Sequence, residues 1–384
     1  MAGLYFHIPF CKQACHYCNF HFSTKQKNRT AVLTAMAQEL SLRAPQANFT
    51  NLESIYFGGG SPSLLSPQAI GDFLQQSKGL FTWSPTIEIT VELNPDDVSR
   101  EYILALSDLG VNRVSLGVQS FFASDLELMN RAHNAQQVMD SLGLIQAHFK
   151  NFSIDLIYGI PGQSLADWEL NLANALAFHP PHISAYALTV EPKTVLEHQV
   201  AQQQVILLAE EEVKAHFDGL VNILEAKGYD HYESSNFGKE GFYSVNNTAY
   251  WQRKPYVGIG PSAHSYNGTD NRSWNVSNNH SYVKALNQQK LAQEQEVLST
   301  VDRYNEAVMT GLRTQWGVSL AFIAEHFGKK YAQYLEEQAS KYLAMDNLYW
   351  DGDHLKVRKQ ARFLVDGLAA DLFLINWEGE KDVL

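Results

Sequence analysis

Short apolar runs recur through the first half of the chain, and after each the leucines, alanines and valines return every third or fourth position. The runs fall at 3–8, 53–58, 87–92, 113–117, 152–157 and 182–187, and their β-branched and aromatic residues predict strands. The stretches Ala31 to Arg43, Pro67 to Gln76, Glu101 to Leu109, Ala135 to His148, Ala166 to Ala177 and Val200 to Ala226 carry the helical period. Six β/α units in succession predict a parallel sheet covered by helices through right-handed crossovers. Periodicity alone leaves two architectures open, a doubly wound sheet and a barrel two units short of eight.

From about residue 230 to 290 the rhythm breaks and Asn, Tyr, Ser and Gly accumulate, which predicts irregular structure at the edge of the sheet or a link to a second unit. Helical spacing returns over 302–314, 319–327 and 330–344. Two short apolar runs then flank Asp351-Gly352, a hairpin signal, and a last helix starts at Gln360. The expected organisation is a β/α region over 1–230, an irregular extension over 231–300, and a small helical, winged-helix-like domain over 301–384.

The chain has 384 residues, 45% of them hydrophobic and 18% charged, the profile of an ordered protein with a sizeable core. Its net charge of -12 lacks the broad basic footprint that nucleic-acid backbones require. The region after Val301 is acidic too, with thirteen acidic against ten basic residues, so it reads as a packing or partner module and not as a DNA reader. No apolar run reaches the roughly 18 residues of a membrane span, and Met1 to His7 has no basic flank ahead of an apolar stretch. The expected compartment is the cytoplasm, where triplets such as Asn267-Gly268-Thr269 carry no glycan.

All three cysteines, Cys11, Cys15 and Cys18, follow the first strand within one loop, too crowded for a disulfide framework. Three thiolates at that spacing can meet at one metal centre, and soft sulfur favours zinc or an iron-sulfur cluster. A zinc site would be completed by His16 or His21. A [4Fe-4S] cube held by three cysteines leaves one iron without a protein thiolate, open to a small molecule.

Other polar residues gather where strands end. The second strand runs into Gly58-Gly59-Gly60-Ser61-Pro62-Ser63, where missing side chains let a ligand approach backbone amides and carbonyls. No Gly-Lys-Ser/Thr follows, so this is not a phosphate loop. Glu92-Leu93-Asn94-Pro95 closes the third strand, Gln119 follows the fourth, and Asp155 interrupts the apolar fifth. Buried polar groups cost stability unless partnered, and in parallel β/α folds ligands sit at the carboxyl ends of the strands.

The Cys-x3-Cys-x2-Cys loop resembles that of the radical S-adenosylmethionine (SAM) superfamily. There it holds a [4Fe-4S] cluster whose open iron binds SAM, and the chemistry is reductive cleavage to methionine and a 5'-deoxyadenosyl radical. Tyr5-Phe6-His7-Ile8-Pro9-Phe10-Cys11, the glycine run, Gly117-Val118-Gln119-Ser120-Phe121, Asp155 to Gly162 and Gly258 to His264 further resemble the oxygen-independent coproporphyrinogen III oxidase family. The resemblance implies a six-unit (β/α) partial TIM-type barrel with a helical C-terminal domain. It also implies Cys11, Cys15 and Cys18 as cluster ligands, Tyr5 and Tyr17 near SAM, and Gly59, Gly60 and Ser61 at its amino group. Glu92 and Gln119 would be hydrogen-bond partners and Arg131 would meet the carboxylate, which its planar fork matches. Asp155, Ala187 and His264 would line the site.

Within that family the oxidases resemble one another in a fourth cysteine two residues after the third and in an N-terminal extension. Here residue 20 is Phe and ten residues precede Cys11, so the resemblance is to the branch of HemW-type haem chaperones, which bind haem and deliver it to respiratory enzymes. Asn246-Asn247-Thr248-Ala249-Tyr250-Trp251 is similar to the branch's haem-binding motif except that Asn246 replaces its histidine. A carboxamide is a poor haem ligand, leaving Tyr250 or a histidine such as His264 to substitute, or Tyr250 and Trp251 as plain packing residues. The implied function is therefore a haem chaperone with haem or porphyrin as cargo and haem-accepting proteins, membrane-associated ones included, as partners. The alternative is a radical SAM enzyme acting on a porphyrinogen, and no catalytic residue is assigned.

Overall fold

The computed structural model describes residues 2–375, so the end of the expected C-terminal region, 376–384, lies outside them. Six strands, β1 Gly3–Ile8, β2 Asn51–Gly59, β3 Thr82–Leu93, β4 Arg113–Gln119, β5 Phe152–Tyr158 and β6 His182–Ala187, pair in parallel with their chain neighbours. A doubly wound sheet reverses strand order part-way; this one runs β1 to β6 without reversal. That order resolves the two architectures in favour of the partial barrel. Burial on both faces, as along β4 and β5, explains why these strands read as continuous apolar runs.

The intervening helices start where short polar side chains cap them. Ser66, Ser99 and Ser164 accept from the backbone of Ala69, Tyr102 and Asp167, and Asn134 forms a reciprocal capping pair with Gln137. The helix expected over Val200 to Ala226 is two helices, Val195–Ala201 and Glu210–Ala226. The segment between them leaves Ile206 82% exposed and puts Gln203 at φ 56°, so its apolar residues do not mark a helix face. The second helix begins where Glu210, Glu211 and Glu212 favour the positive end of the helix dipole and Glu212 accepts from the Ala209 amide.

The stretch expected to be irregular, 231–300, instead widens the sheet at both edges. β7 Asp230–Glu233 and β8 Asn236–Gly238 form an antiparallel pair on β6. On the other side β9 Tyr256–Ile259 lies parallel to β1, followed by antiparallel β10 His264–Tyr266, β11 Asn271–Asn275 and β12 Gln293–Val297. These strands are short and rich in polar residues, so they carry little apolar alternation; in β12, Gln-Glu-Gln-Glu-Val, four of five residues are exposed.

The C-terminal region has its own core, with Tyr304, Val308, Ile323, Leu335 and Leu355 at its centre. Helix Thr300–Leu312, β13 Val318–Ser319, helices Leu320–His326 and Lys329–Ala344, then the hairpin of β14 Leu348–Asp351 and β15 His354–Val357 give the winged-helix order. A short 3-10 turn, Lys359–Leu364, and helix Val365–Asp371 follow. This region meets the sheet at β7, where Thr314 bridges Glu233 and the Gln315 amide donates to the Tyr232 carbonyl at 3.0 Å.

Candidate functional site

At the carboxyl end of β1 the chain turns through Pro9 and Phe10 into the cysteine loop. The loop is tied to several β/α units at once. The Cys11 amide donates to Ser23 O at 3.1 Å, the His16 amide to Met129 O at 3.1 Å, and the Leu196 amide to His16 O at 2.8 Å. Lys12 pairs with Asp96 at 2.7 Å, and Gln13 donates to Asn130 Oδ1 at 2.6 Å. The three cysteines are free, half-buried thiols.

All three line one cavity of about 510 Å³. Of the residues expected from the sequence, Cys11, Cys15, Cys18, Tyr17, Gly59, Gly60, Ser61, Glu92, Gln119, Arg131, Asp155 and Ala187 all line it. Gly59 sits at φ 103°, the left-handed region open to glycine, and a Cβ on Gly60 would lie 2.6 Å from the carbonyls of Ile8 and Phe10. The glycine run is therefore what lets β2 press against the start of the cysteine loop. Gln119, at the end of β4, holds a left-handed φ of 66° without being glycine, a strained backbone of the kind that collects at ligand sites.

Arg131 is the polar anchor. Its Nη1 donates to Cys15 Sγ at 3.2 Å and lies 3.4 Å from the Tyr17 hydroxyl, while its Nη2 donates to Asn94 Oδ1 at 3.0 Å and Gly117 O at 3.1 Å. Its buried Nε has no partner among the described residues. Glu92 accepts from the Tyr56 hydroxyl at 2.8 Å and from the Gly59 amide at 3.2 Å. Burial pushes the Glu92 carboxyl up to about 7, with Asp155 adding to the rise. Asp155, raised by burial as well, accepts from Ser115 at 2.9 Å. Burial likewise pushes the Cys11 thiol up to about 11 and Cys18 upward, so binding a metal centre there displaces protons.

Sequence reasoning singled out neither Tyr56 nor Arg113, two of the polar residues of this wall. Tyr56 stands between Ile55 and Phe57, and its alternation with them on β2 was the available signal. Arg113 opens a strand, where a charge reads as a boundary; in fact it is 2% exposed, 3.8 Å from Glu88 and 3.4 Å from His182 Nδ1.

Other expected residues lie elsewhere. Tyr5 packs behind the wall, stacked on Tyr56 at 6.0 Å with its hydroxyl 3.2 Å from His7 Nδ1. His264, expected to line the site, is exposed on β10 beside Trp274, outside the cavity, because the turn after Ile259 carries it to the extended edge. Asn246, Tyr250 and Trp251 fall on helix Val245–Trp251, of which only Asn247 reaches the cavity. Asn246 is buried between Ser54 and Glu88, Tyr250 packs edge-on against Tyr256 at 4.6 Å, and Trp251 lies under the Arg313 guanidinium. His16 and His21, which a zinc site would need, do not line the cavity; His16 Nδ1 meets Leu128 O at 2.9 Å and His21 Nε2 meets Asn279 Oδ1 at 2.8 Å. Three thiols without these imidazoles, beside a buried guanidinium that donates to one sulfur, fit a cluster ligated by cysteine alone.

Residues 5–172 match the model of the radical SAM superfamily, and residues 298–364 match the HemN C-terminal domain. A protein of Lactococcus lactis named "Heme chaperone HemW" is 35% identical over 348 residues, covering 90% of each chain. The chain belongs to the HemW family. A HemW of Bacillus subtilis is 34% identical over 333 residues, 86% of this chain and 88% of that one. The structure of HemN from Escherichia coli, a coproporphyrinogen III oxidase and radical SAM enzyme, superposes with a TM-score of 0.83 at 21% identity, over 97% of this chain and 90% of that one. That likeness shows a shared fold. Membership of the radical SAM superfamily implies a [4Fe-4S] cluster and SAM. Among the described residues of this HemW-family chain, no helix is long and apolar enough to cross a membrane.

Proposed function

We propose that this protein is a haem chaperone of the cytoplasm that holds a [4Fe-4S] cluster on Cys11, Cys15 and Cys18, takes SAM into the adjoining cavity, and passes haem to haem-dependent enzymes. The observation that carries the reading is the convergence of the three thiols, the glycine run and the strand-end polar residues on one cavity. When bound, the cluster supplies one-electron reduction to the sulfonium of SAM. The chain's own groups have separable tasks. Gly59 and Gly60 let β2 close against β1 and the start of the cysteine loop, Glu92 accepts the ligand's cationic end, and Arg131 is the fork for a carboxylate.

The relatives' name supports the chaperone reading over turnover of a porphyrinogen, as does Phe20 where the oxidases resemble one another in a fourth cysteine. Asn246 is buried, its Oδ1 accepting from Ser54 and its backbone amide donating to Glu88, and a carboxamide is a poor iron ligand. Tyr250 carries the phenolic oxygen of that helix, and it must leave its contact with Tyr256 to serve.

Oxygen-free reconstitution, iron and sulfide analysis, and electron paramagnetic resonance with and without SAM test the cluster half of the reading. A signal that changes on adding SAM is expected; stoichiometric zinc without sulfide would overturn it. Haem titration of wild type and Tyr250→Phe tests the cargo, with stable uptake by wild type expected. Conversion of coproporphyrinogen III to protoporphyrinogen under reducing conditions would overturn the chaperone reading.

A further inference from the structure

The helix Ala123–Leu128 ends in a turn that does two jobs. Its closing bonds are those of a Schellman motif: the Arg131 amide donates to Leu126 O at 2.9 Å and the Asn130 amide to Glu127 O at 2.9 Å, with Asn130 at a left-handed φ of 54°. Glycine is the usual residue at such a position, because a side chain there is strained. Asparagine brings what glycine lacks. Its Nδ2 donates to the Ala14 carbonyl at 2.7 Å, and its Oδ1 accepts from Gln13 Nε2 at 2.6 Å. A carbonyl only accepts, so this orientation of the amide is fixed. Gln13 Nε2 also reaches the Asn130 carbonyl at 3.2 Å.

Neighbouring groups extend the seam. The carbonyls of Leu128 and Met129, left open by the helix end, accept from His16 Nδ1 at 2.9 Å and from the His16 amide at 3.1 Å. Arg131 donates to Cys15 Sγ at 3.2 Å. Residues 13 to 16 are thus bonded to residues 128 to 131, and Cys15 lies inside the bonded stretch. Asn130 does not line the cavity, so it reaches the metal centre only through the loop.

We propose that Asn130 is a positioning residue for the cluster ligands: by gripping Gln13 and Ala14 from the same turn that presents Arg131, it holds Cys15 ready to ligate before iron arrives. The inference rests on the cluster reading above. Outer partners that orient metal ligands typically contribute about ten- to a hundredfold to metal affinity. Asn130→Gly separates that task from the turn, because glycine suits the left-handed position at least as well.

Full-length protein reconstituted without oxygen is assayed for iron and sulfide, then mixed with excess EDTA, and the loss of the cluster's visible absorbance is timed. Wild type that takes up no cluster would overturn the cluster reading itself. With clusters present, Asn130→Gly is expected to lose them about tenfold faster than wild type. The urea midpoint of the same chain before reconstitution should change little, since what the turn gains from glycine offsets the exposed bonds it gives up. Gln13→Ala is expected to speed the loss less, because the Ala14 contact remains, and to add little in the Asn130→Gly background, where its shorter bond has gone. Cluster loss at the wild-type rate in Asn130→Gly would overturn the proposal. Faster loss that merely follows a lowered urea midpoint, or a variant that fails to fold, would overturn it as well, by making Asn130 a support of the fold alone.

Discussion

Gly60 and Glu92 illustrate how single positions serve the cavity. A methyl group at residue 60 must displace two backbone carbonyls, one of them on the residue before Cys11. Gly60→Ala is therefore expected to cost about 1–3 kcal/mol in urea unfolding and to lower cluster content after reconstitution. Glu92 and Glu233, both raised to about 7 by burial, stabilise the fold most below about pH 4.5, and that contribution is lost as pH rises through 7. His7, His133 and His231, lowered to about 4 by burial, act in the opposite sense, and their contribution is lost as pH falls from 6.5 through 4. Each group counts for roughly 1–3 kcal/mol, so the urea midpoint should fall on both sides of about pH 6, and Glu92→Gln should flatten the alkaline side only. The cysteines, glycines and strand-end acids were legible because each is out of place in its surroundings. Arg113 was not, since a charge at a strand boundary looks ordinary until the strand is seen buried on both faces.

At the scale of elements, β1 to β6 were readable from their apolar runs, buried on both faces, while the start of β3, Thr82 to Thr86, which is not buried, lay outside its run. The six edge strands from β7 to β12 were not, because they are short and largely polar in sequence, and contacts from distant parts of the chain help hold them in place. One buried cluster shows how the edge is secured. Glu39, in helix Arg29–Arg43, accepts from Arg43 at 2.6 Å, from Asn275 of β11 at 2.7 Å and from the Gly260 amide at 2.8 Å, and Arg43 reaches Gln293 of β12 at 2.6 Å. Glu39 is fully buried, so removing its cation strands a charge. Arg43→Leu is expected to cost about 3–5 kcal/mol in urea unfolding, while Glu39→Gln with Arg43→Leu recovers part of the loss.

The whole molecule keeps its cavity and its C-terminal region on one framework. Lys359 and Arg362 both reach Glu225 on the helix before β7, at 2.6 and 2.8 Å, but such half-exposed pairs are worth only about 0–1 kcal/mol. The backbone contact between 314–315 and 232–233 is the more consequential join. An open strand edge is a template on which another chain can add itself, and here a later part of the same chain already occupies that place. At the opposite end, the glutamates of β12 repel a newcomer. A shortened chain ending at residue 299 is therefore expected to gather into soluble oligomers or precipitate on size-exclusion chromatography, with the intact chain eluting at one stable size. The winged-helix region would then be a stopper as much as a domain, and its loss would be noticed first as solubility.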